Sequence, residues 1–149
     1  MAEDQEQARV GVLDTLVGYH LRRASGAFSA DFTRTMDGTG MRQVLFAILA
    51  VIEANPRISQ GAVGRTLAIK RANMVSLVNE LIEIGFVDRE AAADDRRAFA
   101  LMVTPAGSEA MERALRLIRS HEERLLGGLT AGQRRTLGAL LNRIERSPA

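Results

Sequence analysis

Residues 58–107 read ISQGAVGRTLAIKRANMVSLVNELIEIGFVDREAAADDRRAFALMVTPAG, and the fold is decided within them. Ser59 is a good N-cap for a short helix through Thr66, because its hydroxyl can accept an otherwise unpaired backbone N–H. Leu67-Ala68-Ile69 makes a tight turn. A second helix then runs to Ile84 and stops at Gly85, a residue that tolerates the left-handed conformation of a helix end. Along this helix Met74, Leu77, Val78, Leu81 and Ile82 recur at i, i+3, i+4, i+7 and i+8, the spacing of one buried face. The opposite face carries Arg71, Asn73, Ser76, Asn79 and Glu83.

The period then changes. Phe86–Glu90 reads as a short strand, and Ala98–Val103 alternates with Phe99, Leu101 and Val103 on one side. Between them lies a polar tip, Ala93-Asp94-Asp95-Arg96-Arg97. Two helices around a tight turn, followed by a hairpin, make a winged helix-turn-helix. A recognition helix must seal one face onto its domain and offer a polar face to a major groove. A wing must place a cation where it can enter a narrow, electronegative minor groove. Taken alone, the polar helix face reads equally as solvated surface, and Asp94–Arg97 as a salt-bridged turn.

Outward from this stretch the pattern stays helical. Val12, Leu13, Leu16, Val17, His20, Leu21, Ala24, Ala27 and Phe28 form an apolar stripe on a long first helix, about 8–36, which Asp37-Gly38-Thr39-Gly40 ends. A helix over about 42–54 is apolar almost all round, so it is expected to be buried on most faces. Thr104-Pro105 opens a fifth helix, with proline where its missing N–H costs nothing. Met111, Leu115, Ile118 and Leu125 are expected along its apolar side. Gly127-Gly128 breaks it, and Thr130 with Gln133 has the spacing of a capping box for a sixth helix whose stripe is Leu137, Leu140, Leu141 and Ile144.

The 149 residues suit one domain, 46% of them apolar. There is no cysteine, which removes disulfides, thiolate catalysis and cysteine-based redox sensing. His20 and His121 have no companions at ligand spacing, so no metal site is expected. No phosphate-cradling glycine loop or nucleophile motif stands out, so an enzyme is not expected, nor any cofactor. No apolar run reaches the roughly 18 residues of a membrane span. With the polar Met1–Gln7 carrying no signal peptide, the expected location is the cytoplasm.

The net charge is +2, and residues 59–104 hold six basic and six acidic side chains, so affinity for nucleic acid has to come from local clusters rather than overall charge. Lys70, the only lysine, lies beside Arg71, and Arg96 beside Arg97.

At this point the chain resembles the MarR family, the multiple-antibiotic-resistance type regulators. The resemblance runs over nearly the whole length and is most specific in LVNELIEIGFVDR followed by DDRRAFALMVTPAG. It implies a mainly α fold with a small β-hairpin wing, in a single domain over 1–149. About 41–104 would form the DNA-binding winged helix, and about 8–36 and 105–146 the dimerisation helices. The partners it implies are a pseudo-palindromic DNA duplex, a second copy of the chain and a small effector bound in a cleft, with no membrane. Carried over by position, Arg71, Asn73 and Ser76 would read bases and Arg96 would meet a phosphate, as could Lys70 beside Arg71. Arg97 would enter the minor groove, oriented by Asp95. Organic hydroperoxide sensors of this type use a cysteine in the first helix, which this chain lacks.

Two positions depart from the pattern. Ala68 stands where the turn often has glycine, so a strained turn is expected. Lys70 stands where a capping serine or aspartate is common, and its side chain cannot accept the unpaired N–H groups.

The segment Gly18-Tyr19-His20-Leu21-Arg22-Arg23-Ala24 is similar to regulators of hydroxycinnamate and related aromatic degradation, some of which answer to an aromatic acyl-CoA. It implies an effector site with Tyr19, His20, Phe28, Phe46 and Leu49 around the aromatic part. Arg22 or Arg23 would hold a carboxylate or the CoA phosphates through their planar forks. On the residues alone, His20 is equally a satisfied core histidine, and the arginines are equally a solvated helix surface. Two alternatives stand beside a repressor of aromatic catabolism. One is a regulator of efflux or stress genes with a different phenolic effector. The other is a winged-helix module that binds protein.

Overall fold

Helix α2, Gln43–Ala54, is the hub. Its Leu45, Ile48, Leu49 and Ile52 are fully buried, as expected for a helix apolar on most sides. The computed structural model describes residues 8–91 and 99–148. Around α2 pack α1 (Val17–Met36), β1 (Ile58–Ser59), α3 (Gln60–Thr66), α4 (Arg71–Ile84), β2 (Val87–Ala91), β3 (Phe99–Val103) and α5 (Pro105–Leu126). Helix α6 (Ala131–Glu145) follows with no buried residue.

The core gathers Val63 from α3, Met74, Val78 and Leu81 from α4, Val87 from β2, Leu101 from β3 and Ala110, Met111 and Ala114 from α5. Ser59 caps α3 by accepting from the Ala62 N–H at 3.2 Å. Gly64 lets α3 and α4 close on one another, since a Cβ there would stand 2.9 Å from Met74 Cγ and 3.2 Å from the Ile69 carbonyl oxygen. Gly85 ends α4 at φ +86°. Thr104 caps α5 and also donates to the Gly85 carbonyl at 2.6 Å, tying the end of α4 to the start of α5. The capping box of Thr130 and Gln133 is formed as expected. This is the mainly α, winged helix-turn-helix architecture anticipated from the sequence.

Five expectations need correction. The first helix is not continuous from residue 8. A 3₁₀ turn at Gly11–Thr15 precedes it, Gly11 has φ +61°, and extended Leu16 separates the two. Second, the wing is not a bare hairpin. Ile58 and Ser59 pair with Leu101 and Ala100, giving a three-stranded antiparallel sheet in the order β1-β3-β2. Third, β3 does not alternate cleanly. It is the central strand, so Ala100 and Leu101 are both buried, while Phe99 at its outer end is exposed under the Arg89 guanidinium, 5.0 Å from the ring centre. Fourth, the buried side of α5 is Gly107, Ala110, Met111, Ala114 and His121, rotated from the expected stripe because the close approach to the sheet and α1 selects small residues. Fifth, His20, on the apolar stripe of the first helix, is not a core histidine. The His20 side chain is 55% exposed and lies against the Asp14 carbonyl, whereas that of His121 is 3% exposed.

Candidate nucleic-acid interface and ligand cleft

Helix α4 is sealed on one side by Met74, Val78 and Leu81, and this fixes what its other side offers. Arg71, Asn73 and Ser76 are exposed together on the outward face, with Lys70 exposed at the N-cap. The Lys70 side chain makes no capping bond; the Asn73 N–H donates to the Lys70 carbonyl, while the positive end of the helix dipole stays uncapped by any side chain beside two cations, a setting that suits a phosphate. Ala68 sits at φ +54° in the preceding turn, the strained conformation expected where glycine is usual.

Two polar contacts that the sequence did not signal hold α4 in place. Arg89 on β2 donates to Asn79 Oδ1 at 2.8 Å, joining the wing strand to the outward face of α4. Arg42 at the start of α2 pairs with Glu80. Asn79 is thereby engaged within the fold, unlike Arg71, Asn73 and Ser76, for which no side-chain hydrogen bond occurs among the described residues. Asp95, Arg96 and Arg97 lie outside the described residues.

The second feature is a cleft of about 420 Å³ between α1, α2 and α5. Phe28 and Phe32 of α1, Phe46 of α2 and Ile118 of α5 form its apolar lining, and Ser25, Ser29, Gln43, Glu122 and His121 add polar groups. It adjoins a hollow of about 580 Å³ that shares Ser29, Phe32 and Gln43 and continues to Met36–Arg42. Both sizes fall in the range of small-molecule sites. The cleft brings together Phe28 and Phe46 of the sequence-predicted ligand residues. Leu49 is fully buried in the core and does not reach it.

Helix geometry separates the remaining candidates. At about 100° per residue, Ser25, Phe28, Ser29 and Phe32 share the face of α1 that lines the cleft. Arg22 lies about 70° from the centre of that face and one turn beyond its end, at the rim. Arg23 lies about 170° away, and Tyr19 and His20 each about 130°. Tyr19 and His20 instead meet edge to face, with ring centres 5.4 Å apart, near the break at Leu16.

His121 is the residue the sequence reading missed. It accompanies Asp31, which lies ninety positions away on α1, with His121 Nδ1 2.5 Å from Asp31 Oδ2. The same carboxylate accepts from Arg34 at 2.9 Å and Arg124 at 3.0 Å, and Arg124 also reaches Thr35 Oγ1 at 2.7 Å. The hydrogen bond to His121, followed by that to Arg34, holds the Asp31 carboxyl well below the usual carboxylate range, against an opposing effect of burial. Phe28 and Phe32 stand edge to face against the His121 ring, at 5.4 and 5.8 Å between centres. The available signal was periodicity: His121 continues the line Gly107, Ala110, Met111, Ala114, Ile118 at helical spacing.

Among the described residues no cluster of three or more histidine, cysteine, aspartate or glutamate side chains is placed to hold a metal ion. No described helix is long and apolar enough to cross a membrane.

Comparison with known proteins gives this geometry its context. The sequence profile of the MarR family matches residues 40–98. The transcriptional regulatory protein for the hcr operon of Thauera aromatica is 34% identical over 131 residues, spanning 87% of this chain and 79% of that protein. The transcriptional repressor CouR, solved on a 23-mer DNA duplex, superposes with a TM-score of 0.88 at 32% identity, covering 94% of this chain and 99% of CouR. CouR solved with p-coumaroyl-CoA gives 0.81 at 30% identity, covering 95% and 100%.

Proposed function

Because the chain belongs to the MarR family of transcriptional regulators, we propose that it is a sequence-specific repressor that binds DNA as a homodimer and releases it on binding an aromatic effector. The effector class is a hydroxycinnamoyl-CoA or the related free acid, and the controlled genes serve aromatic catabolism. The observation that carries the reading is the pairing of two features in one small fold: an outward polar face on α4 and an aromatic cleft at the junction of α1, α2 and α5.

Arg71, Asn73 and Ser76 read base edges, Lys70 and Arg96 meet phosphates, and Arg97, oriented by Asp95, enters the minor groove. Base contacts carry sequence and phosphate contacts carry position. The dimer forms through the chain ends. Val12, Leu13, Leu16 and Val17 near the N-terminus and Leu137, Leu140, Leu141 and Ile144 on α6 are all exposed in one copy. Exposed apolar stripes of this kind mark an interaction site. A two-fold dimer places its recognition helices in successive major grooves, about 34 Å apart, so the operator is a pseudo-palindrome. Residues 41–104 form the reading unit, and 8–36 with 105–146 the dimerisation unit.

In the cleft, Phe28 and Phe46 hold the aromatic ring and Arg22 at the rim faces the thioester's phosphates. The nucleotide is too large for a space of about 420 Å³, so it lies outside. The effector releases DNA only through a higher affinity for the form whose recognition helices are wrongly spaced. A hundred-fold release needs about 2.7 kcal/mol of such coupling.

The test is a titration of the protein–operator complex, using duplex from upstream of the protein's own gene, with p-coumaroyl-CoA and with free p-coumarate. Release by either supports the reading, and the ratio between them decides which is the effector. Binding of the duplex with no release by either compound would leave a DNA-binding regulator with a different effector. No preference for that duplex over a scrambled one would remove the assigned reading surface.

A further inference from the structure

His121 is almost fully buried, yet it lines the cleft. Its Nδ1 is committed to Asp31. Among the described residues no hydrogen bond involves Nε2, and no fully buried side-chain nitrogen or oxygen lacks a partner. Nε2 therefore keeps some exposed surface, on a side chain that lines the cleft. The phenyl rings of Phe28 and Phe32 pack edge to face against the imidazole.

We propose that His121 is the specificity-determining residue of the effector site, and that its Nε2 accepts a hydrogen bond from a phenolic hydroxyl at the inner end of an aromatic ligand. Asp31 is the positioning residue behind it. The proposal rests on the effector class given above and adds the group recognised, the atom that recognises it and the direction in which the ligand lies.

The chemistry follows from the Asp31 cluster. An ionised carboxylate can only accept, so Nδ1 carries the proton that points to Asp31. In the neutral ring Nε2 is then left with a lone pair aimed into the cleft. This is the histidine–carboxylate arrangement that fixes a tautomer through the hydrogen bond at the far nitrogen. A lone pair accepts from a hydroxyl and repels a carboxylate. The phenol therefore points inward, and the acid or thioester end points outward toward Arg22. Phe28, Phe32, Phe46 and Ile118 offer the hydroxyl no partner, so away from His121 it has only Ser25, Ser29, Gln43 and Glu122 to turn to, and a buried hydroxyl without a partner is costly. Conversely, a ligand without the hydroxyl leaves Nε2 unpaired in an apolar setting, which is how a polar pocket rejects an analogue lacking one group.

Calorimetric titration of the full chain with p-coumaroyl-CoA and with cinnamoyl-CoA, which differ only in that hydroxyl, tests the proposal. The expected preference for the hydroxylated thioester is about ten-fold or more. His121→Phe keeps a ring but no acceptor, so the ratio should fall to about one, chiefly through loss of p-coumaroyl-CoA affinity. His121→Gln returns an acceptor at similar reach and should restore part of the preference. Asp31→Asn can pair with either tautomer, so the ratio should drop without vanishing. Each ratio is internal to one folded variant, so a change in overall stability does not imitate the effect. Equal affinity for the two thioesters in the wild type would overturn the inference and leave the effector class standing. So would an unchanged preference in both His121→Phe and His121→Gln. If neither thioester binds the wild type, the same ratio is read with free p-coumarate and cinnamate, and failure of all four to bind would overturn the effector class, and the inference with it.

Discussion

Leu101 and Leu140 are the same side chain in opposite circumstances. Leu101, on the central strand, is fully buried among α2, α4 and the sheet, while Leu140, on α6, is 48% exposed. The contrast extends to their regions. From α2 to the start of α5 the apolar face of each element is covered by its neighbours within the chain. The 3₁₀ turn and α6 bury no residue at all, although their apolar stripes are as regular. The lesson is that hydrophobic periodicity says a face will be buried, without saying by which chain. The winged part is closed by its own sequence, and the terminal part, in the proposed dimer, is closed by another copy.

The most damaging way to break this comparison is to exchange the consequences of the two sites. Leu101→Ala should destabilise the fold by about 2–5 kcal/mol, the usual cost of a cavity in a closed core, measured by denaturant unfolding. Leu140→Glu combined with Leu141→Glu should leave secondary structure intact by circular dichroism. It should weaken self-association by about a hundred-fold or more in sedimentation, because charge then faces charge across a symmetric seam. If the double variant instead unfolds and stays dimeric, the terminal helices are closed within the chain after all.

Next in size are the reading residues. Arg71→Ala and Asn73→Ala should each cost about 1–3 kcal/mol of operator affinity and relax base preference at one position in each half-site. Asn79→Ala should act differently, since Asn79 holds Arg89 of the wing strand. Its loss should weaken binding with little change in base preference, as read by competition with substituted duplexes.

The Asp31 cluster sharpens the comparison at the boundary between the two regions, because it ties α1 to α5. Its carboxyl is depressed in the folded chain from an ordinary value of 3.8. Its contribution is thus complete above that value and is lost as pH falls below it. Unfolding midpoints measured from about pH 5 to pH 3 should fall for the wild type, and fall less steeply for Asp31→Asn. Parallel curves would mean that the cluster does not contribute to acid stability.

The smallest effect belongs to the turn. Ala68 holds φ +54°, so Ala68→Gly should stabilise by up to about 1 kcal/mol, the strain relieved being partly offset by the freer unfolded chain.

Much of the fold was legible because local chemistry marks its joints. Ser59, Gly85, Thr104-Pro105 and Thr130 with Gln133 each stop or start an element by satisfying backbone groups at that point. What stayed hidden depends on distant partners. Strand β1 is two residues long and exists only because β3 offers it an edge. The break at Leu16 separates two runs of one continuous apolar stripe, which periodicity joins. His20 lies on an apolar stripe and His121 between Ser120 and Glu122, and only packing decides that the second is the one buried, against Asp31. The small residues Gly107, Ala110 and Ala114 mark the covered face of α5, although a reading weighted to large side chains passes over them. Phe28 and Phe46 were legible as cleft residues, whereas Arg23, Tyr19 and His20 were drawn in by adjacency along the chain rather than by a shared helix face.

The proposed role of this fold is that of a dimeric reader of one DNA sequence. Fluorescence anisotropy on a labelled duplex from upstream of the protein's own gene, with a scrambled duplex as competitor and salt as a second variable, tests it most directly. Saturation is expected at two chains per duplex. Also expected are a preference of about a thousand-fold or more over the scrambled competitor and a steep loss of affinity with rising salt. Equal affinity for the two duplexes, or saturation at one chain per duplex with the full site occupied, would contradict it.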